Sequence, residues 1–268
     1  LQMCGVLPPD LDRAQFLDTL QVERERGITV KAQTSSLLYT HSGTGETYLL
    51  NLVDTPGHID FNYEVQRSLA ACQGALLLVD AVQGIQAQTV SNFYHAFMQE
   101  LTILGVANKV DVPHASVPAT QQSVAALIES DDPESVLPVS ARTGQGVDML
   151  LRKICEDIPP PSVPTGKHDL FKALLVDMWY DNQLGVVMLI AVNSGKLKVG
   201  DKIRCHHAQR QLTIQDVGVI TAARLSSMPF IRAGQVGYVV ANLKDIRALR
   251  VGETFFQAGP IKDSQLEK

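Results

Sequence analysis

Thr47–His58 reads TYLLNLVDTPGH. An apolar, strand-forming run ends in Asp54-Thr55-Pro56-Gly57, which has the composition of a tight turn, and His58 follows at once. Working outward, Gly74–Val79 (GALLLV) is a second such run and closes on Asp80-Ala81. Thr102–Ala107 is a third, closing on Asn108, and Val136–Val139 is a fourth. Gln88–Glu100 has helical spacing, Ser116–Ser130 has it more weakly, and Gly146–Asp157 forms a helix stopped by Ile158 and three prolines. Strands alternating with helices predict an α/β domain on a largely parallel sheet.

Pro159-Pro160-Pro161, with Pro164 and Gly166 close behind, reads as a linker. Beyond it, Leu170–Phe256 is a series of short β-rich runs broken by Gly, Asn-Ser-Gly and Lys-Val-Gly-Asp, the pattern of a small β-barrel. The expected organisation is therefore an α/β domain over 1–158, a Pro-rich linker over 159–168, a barrel over 169–258 and the start of a further linker or domain over 259–268.

The bulk properties narrow the function. A formal net charge of −5 over 268 residues excludes a general polyanion binder held by a basic surface, so a nucleic-acid partner must be met through local patches. The four cysteines (Cys4, Cys72, Cys155, Cys205) form no C-x-x-C pair, which argues against a disulfide framework or a structural zinc site. No apolar run reaches the length of a bilayer span. Leu1–Gly5 has no signal-peptide character and reads as the tail of a helix.

Four short motifs carry chemistry, each sitting where a strand ends or a loop is expected. In Asn108-Lys109-Val110-Asp111, an aspartate can accept hydrogen bonds from the N1–H and 2-amino group of guanine, a donor pair that adenine lacks. Asn108 can tie neighbouring loops together, and the Lys109 stem can lie along the base. In Asp54-Thr55-Pro56-Gly57-His58, a strand-end carboxylate can hold Mg²⁺ through water. There Gly57 lets a backbone N–H approach a γ-phosphate, and His58 can orient the attacking water. In Arg26-Gly27-Ile28-Thr29, a loop threonine can give its hydroxyl to Mg²⁺. Ser140-Ala141-Arg142 can present backbone N–H groups to the guanine O6. Singly, each is matched by a plain turn or a solvated charge run. Together and in this order they predict a GTPase core.

On these residues the chain resembles the translational GTPases, and within them the LepA (elongation factor 4) family in its mitochondrial branch. The likeness is carried by QVERERGITVKAQ (Gln21–Gln33), NLVDTPGHIDFNYEVQRSLAACQGALLLVDAVQGIQAQT (Asn51–Thr89), IPPP (Ile158–Pro161) and WYDNQLGVV (Trp179–Val187). The resemblance implies a P-loop NTPase-type GTPase domain, incomplete at its N-terminus, followed by an all-β translation-factor barrel. It implies GTP or GDP with Mg²⁺ as cofactors and the ribosome, its RNA and its proteins, as partner, with no DNA partner and a monomer as the plain expectation. By position, Thr29 would be the magnesium and γ-phosphate ligand, Ile28 one side of a hydrophobic gate, and Asp54 a magnesium ligand through water. Gly57 would be the γ-phosphate amide and His58 the residue that orients water, so that Thr29, Gly57 and His58 form the catalytic group. Thr55 and Pro56 would complete that nucleotide-binding turn, and Asn108, Lys109 and Asp111 would hold guanine with Ser140 and Ala141 in support. The implied location is mitochondrial, in the matrix or at the matrix face of the inner membrane, with the bacterial cytoplasm or membrane as the alternative.

One motif of that family is missing: the sequence contains no G-x-x-x-x-G-K-[ST]. That loop's N–H groups cradle the β-phosphate and its lysine neutralises charge. The expectation is a fragment cut at both ends, lacking the family's first strand and its C-terminal domains, and with little or no turnover of its own. Its competitor is a catalytically dead ribosome-binding module. His206-His207 are expected in a strand, His41 and His114 in loops, and His95 on a helix face. Cys72 and Cys155 are expected in packing, as are Trp179 and Tyr180 at the start of the barrel.

Overall fold

The computed structural model describes residues 1–8, 17, 21–163, 170–222 and 224–258. The expected extension over 259–268 and the linker residues 164–168 lie outside the described residues. The chain divides into two units, Leu1–Pro160 and Pro161–Lys268.

In the first unit, α1 (Gln21–Arg26) leads through a loop into a hairpin of β1 (Gln33–Thr40) and β2 (Thr47–Asp54), paired antiparallel from Gln33 opposite Asp54 to Thr40 opposite Thr47. A short 3-10 turn (Ile59–Phe61) then runs into α2 (Asn62–Leu69). β3 (Gly74–Asp80), α3 (Ala87–Phe97), β4 (Thr102–Asn108), α4 (Val117–Leu127), β5 (Leu137–Pro138) and α5 (Val147–Asp157) follow. Strands β3, β4 and β5 form a parallel sheet in that order, with Asp80 level with Asn108. The expected four-residue strand over Val136–Val139 is reduced to Leu137–Pro138, although the Val139 N–H still donates to the Ala107 carbonyl of β4 at 2.8 Å.

Among the described residues, the hairpin and the parallel sheet share no hydrogen-bonded ladder. Apolar side chains join them instead: Leu37, Tyr39, Leu50 and Leu52 of the hairpin meet Leu76, Leu104 and Val106 of the sheet and Leu150, Leu151 and Ile154 of α5. Leu1, Cys4 and Val6 lie against the same cluster. Their segment is a turn, closed by Gly5 N–H to the Gln2 carbonyl and Val6 N–H to Leu1, so the expected helix tail is not formed. Gly5 sits at φ +68°, which breaks a helix there.

The hairpin tip is latched to α5. His41, buried to 6% exposure, accepts N–H groups from Gly43 and Thr44 on Nδ1, each at 3.1 Å. Nε2 is left to donate to Glu156 at 3.3 Å. Tyr39 donates to Asp148 and Arg152 to Ser42 beside it. The loop residue expected at His41 is thus a buried brace.

In the second unit, β6 (Lys172–Asp181), β7 (Gly185–Ser194), β9 (Lys202–Cys205), β10 (Gln211–Thr221), β11 (Arg224–Ser227), β13 (Val236–Ala241) and β14 (Thr254–Gln257) run in the order β11-β10-β13-β7-β6-β14-β9. Pairing of β9 back onto β10 closes the barrel, and the small pair β8 (Lys196–Leu197) and β12 (Ile231–Arg232) lies beside it. Inward residues form one core that includes Leu175, Met188, Ile190, Ile203, Ile214 and Phe255. His206-His207 do not continue β9. They stand in a turn, rings edge to face at 4.8 Å, because the buried Glu253 carboxylate accepts the N–H groups of His207 (2.8 Å) and Ala208 (2.9 Å) and bends the chain there.

All four cysteines are free, and burial pushes the thiols of Cys72 up to about 11 and Cys205 up to about 12. Such thiols stay protonated and unreactive. Among the described residues no helix is long and apolar enough to cross a membrane, which says nothing of membrane β-barrels.

Candidate functional site

The C-terminal ends of β3, β4 and β5 carry Asp80, the Asn108–Asp111 loop and Ser140, at the strand-end position where ligands collect in open α/β sheets. The Asn108 side-chain oxygen accepts the N–H of Lys109 at 2.8 Å and that of Ala141 at 3.1 Å, so one amide ties two loops together. Lys109 takes up φ +66°, which turns the chain so that Asp111 comes back beside Ser140. Ser140, fully buried, donates its hydroxyl to Asp111 at 2.7 Å and accepts the N–H of Thr143 at 3.1 Å. The Ser140 bond holds the Asp111 carboxyl below the usual carboxylate range, so the side chain is an anion with a fixed heading.

The loop after β5 depends on Gly146, which precedes α5 at φ +74°; an added Cβ would strike the Pro138 carbonyl oxygen. Four residues on, Leu150 and Leu151 turn into the core, so the helix anchors the loop that carries Ser140 and Ala141.

Asp80 is a participant the sequence reading passes over. One carboxylate oxygen accepts the N–H of Val82 at 2.8 Å, and the other lies 2.7 Å from the Lys109 ammonium. Burial raises the Asp80 carboxyl, but the Lys109 bond and the Val82 N–H outweigh it and hold it below its ordinary value. Its signal in the sequence is its position: an aspartate closing the strand next to the one that Asn108 closes.

A second group lies at the end of β2. Asp54 is exposed, Pro56 buried and Gly57 exposed. Among the described residues, a Cβ built on Gly57 would meet nothing within 4 Å, so their packing does not require a glycine there. His58 is 41% exposed; its Nδ1 accepts the Asp60 N–H at 3.2 Å and lies 3.3 Å from the Asp60 carboxylate. Thr29 stands four residues before Gln33, the register partner of Asp54, so its loop and Asp54 share one end of the hairpin.

That loop has a buried anchor. Glu23 of α1 is fully buried, and its carboxylate accepts the N–H groups of Val30 and Lys31 at 3.0 Å each. Its carbonyl oxygen accepts those of Gly27 and Ile28. The expected solvated charge run therefore faces solvent at Arg24, Glu25 and Arg26 only. Among the described residues no three His, Cys, Asp or Glu side chains gather as a metal cluster.

Comparison with known proteins bears on the family and the fold. Residues 4–160 match the model of the elongation factor Tu GTP binding domain. The chain is 49% identical over 255 residues to a protein of Trichoplax adhaerens named translation factor GUF1 homolog, mitochondrial, a match that covers 95% of this chain and 38% of that one. The chain thus spans about two fifths of the length of that curated relative. A crystal structure of bacterial selenocysteine-specific elongation factor EF-Sec matches with a TM-score of 0.72 at 20% identity, over 90% of this chain and 40% of that one. One of elongation factor SelB from Methanococcus maripaludis, in complex with the GTP analogue GPPNHP, matches at 0.69 and 23%, over 86% and 50%. These two likenesses speak to the fold. With the α/β unit, the barrel and the strand-end loops in place, the chain belongs to the family of the elongation factor Tu GTP binding domain, and it is similar within that family to the GUF1 (LepA) translation factors.

Proposed function

We propose that this chain is the guanine-nucleotide unit and barrel of a ribosome-associated translational GTPase of mitochondria, whose complete form binds and hydrolyses GTP in support of accurate or efficient organellar protein synthesis. The observation that carries the reading is the pair of loops tied together by Asn108 to Ala141 and Ser140 to Asp111. Asp111 would accept from the N1–H and 2-amino group of guanine, the Ala141 side of the loop would face O6, and the Lys109 stem would flank the ring. Selectivity against adenine follows from an anion that adenine leaves without donors.

At the other end, Thr29 and Asp54 would supply oxygens toward Mg²⁺, Asp54 through water, with Thr55 and Pro56 shaping the turn. The Gly57 N–H would donate to a phosphate oxygen, and His58 would orient the attacking water. The sequence has no G-x-x-x-x-G-K-[ST] to cradle the β-phosphate. This chain alone is therefore expected to recognise guanine and to show little or no turnover.

Equilibrium binding of a fluorescent GDP analogue with Mg²⁺, competed by unlabelled GTP and ATP, tests the proposal. Saturable binding displaced by GTP and not by ATP supports the guanine site. A folded chain with no binding, or with equal displacement by ATP, overturns it. Cosedimentation with mitochondrial ribosomes tests the ribosome association separately.

A further inference from the structure

A helix resting on a sheet is expected to turn its apolar arc to the core and its polar arc to water. α3 does otherwise. At about 100° per residue, Ala96, Phe93, Phe97, Val90, Tyr94 and Met98 fall within an arc of roughly 200°, and of these only Phe93 and Ala96 are buried. Tyr94, Phe97 and Met98 are each more than half exposed. The polar side is turned to α2 instead: the Gln66 amide meets His95 Nδ1 at 3.3 Å, and the Gln99 amide donates to the Gln66 carbonyl oxygen at 3.1 Å.

Beside this stripe, Phe93, Phe97, Leu101, Ile103, Ile128 and Glu129 line a cleft of about 180 Å³ between the ends of α3 and α4. That is room for one large side chain and too little for a drug-sized molecule. The cleft lies at the start of β4, the opposite end of that strand from the guanine loop. Both helices end there in the same way. The Leu101 N–H returns to the Ala96 carbonyl at 3.2 Å, and the Ser130 N–H to the Ala125 carbonyl at 2.9 Å. Such a turn needs one left-handed residue, a place that glycine fills at least cost. Here Glu100 fills it at φ +56° and Glu129 at φ +57°. A carboxylate is also disfavoured at a helix C-terminus by the partial negative charge there. Two acids therefore stand beside one cleft where backbone and electrostatics both oppose them. Around them, residues 68–141 contain a single lysine or arginine, Lys109 at the far end of β4, against seven aspartates and glutamates.

The surface joins a stripe of aromatic and methionine side chains, a hole for one apolar group and a rim of negative charge. Nucleic acid and anionic lipid are repelled by that rim. A neutral apolar peptide would cover the stripe and leave the acids unmet. A helix with large apolar residues on one face and lysines or arginines flanking them meets all three features. We propose that the α3–α4 cleft docks a basic amphipathic helix of a protein partner. One large apolar residue of that helix enters the cleft, its neighbours cover Tyr94 and Met98, and its cations meet Glu100 and Glu129. The proposal does not rest on the guanine site.

The test is fluorescence anisotropy of the full chain with a labelled leucine–lysine peptide of about 18 residues, its leucines on one helical face, beside a shuffled peptide of the same composition. The amphipathic peptide should bind saturably, one per chain, and the shuffled one about tenfold more weakly or worse. Tyr94→Ser with Met98→Ser should weaken binding about tenfold or more. Glu100→Gly with Glu129→Gly should weaken it roughly three- to tenfold at about 50 mM salt, an effect that fades by about 500 mM. That pair should not lower the melting temperature, since glycine suits both turns. Leu38→Ser with Glu46→Gln, an exposed leucine and an exposed acid of the hairpin, should leave binding as it was. Thermal melts verify the fold of each variant. The proposal is overturned if the wild-type chain does not bind, if the shuffled peptide binds as well, if the stripe variant binds like the wild type, or if the hairpin control loses as much. It is overturned too if sedimentation shows the chain alone dimerising while the stripe variant stays monomeric, which would assign the face to a second copy.

Discussion

The Lys109 ammonium lies 2.7 Å from an Asp80 carboxylate oxygen, so the lysine of the guanine loop is tied to the end of the neighbouring strand. The pair stretches the lysine stem across two strand ends, and a stem so held has less freedom to lose when it packs against a base. Lys109 is 55% exposed, so solvent limits the pair to about 0.2–1 kcal/mol. Asp80→Asn should weaken guanine-nucleotide binding about two- to fivefold, and should cost nothing further in a Lys109→Met background. A double-mutant cycle on fluorescent GDP affinity measures this; additive losses would show that Asp80 acts otherwise.

Asp111 offers a change of specificity. Asp111→Asn replaces an acceptor by a group that also donates, which mismatches the 2-amino group of guanine and matches the corresponding oxygen of xanthine. Affinity for GDP should fall about 10- to 100-fold and xanthosine diphosphate should gain, as read by competition against the fluorescent analogue. Equal loss for both nucleotides would point to collapse of the Ser140 contact instead.

Glu23 is expected to control the loop that carries Thr29. Glu23→Gln keeps an oxygen for the Val30 and Lys31 N–H groups, while Glu23→Ala removes it and leaves a buried gap. Amide exchange at Val30 and Lys31 should stay slow in the glutamine variant and rise about tenfold or more in the alanine variant, equivalent to one lost hydrogen bond. Unchanged exchange in both would assign the loop's order to other contacts.

Glu253 sets an acid limit for the barrel. Burial raises its carboxyl, but hydrogen bonds from His207, Ala208 and Thr254 outweigh that and hold it below its unfolded value of 4.5. A depressed carboxyl contributes stability that is complete above the unfolded value and is lost as pH falls through the folded one. Chemical melts should therefore weaken steadily from about pH 5 downward. Glu253→Gln should flatten that slope and cost about 1–3 kcal/mol at neutral pH. An acid slope identical in the variant would place the titrating group elsewhere.

The parts legible in the sequence are those where one residue type has one reason to be present. Asp54 and Asn108 follow apolar runs directly and each is the last residue of its strand, while Asp111 and Ser140 stand in the loops just beyond β4 and β5. β1 escaped notice because QTSSLLYT has no alternation: Thr34, Ser35 and Ser36 are buried together, and Ser36 is satisfied by Asn51 at 2.8 Å across the hairpin. Glu23, His41 and Glu253 escaped for a related reason. Composition assigns charged and imidazole side chains to solvent, and only tertiary structure supplies the backbone N–H groups that make their burial tolerable. The His206–His207 turn was hidden likewise, since the carboxylate that bends it lies 46 residues further along the chain.

The latch between the hairpin tip and the last helix of the first unit bears on how the chain is made. His41 and Glu156 are 115 residues apart, and Tyr39 and Asp148 are 109 apart. Chain elongation at about 5–20 residues per second leaves roughly 6–23 s between synthesis of the imidazole and of its carboxylate. Through that interval the hairpin has its own ladder and the apolar side chains of Leu76, Leu104 and Val106, without those of α5. The unit therefore closes late in its own synthesis, and a nascent chain halted before α5 leaves uncovered the part of this apolar cluster that Leu150, Leu151 and Ile154 complete.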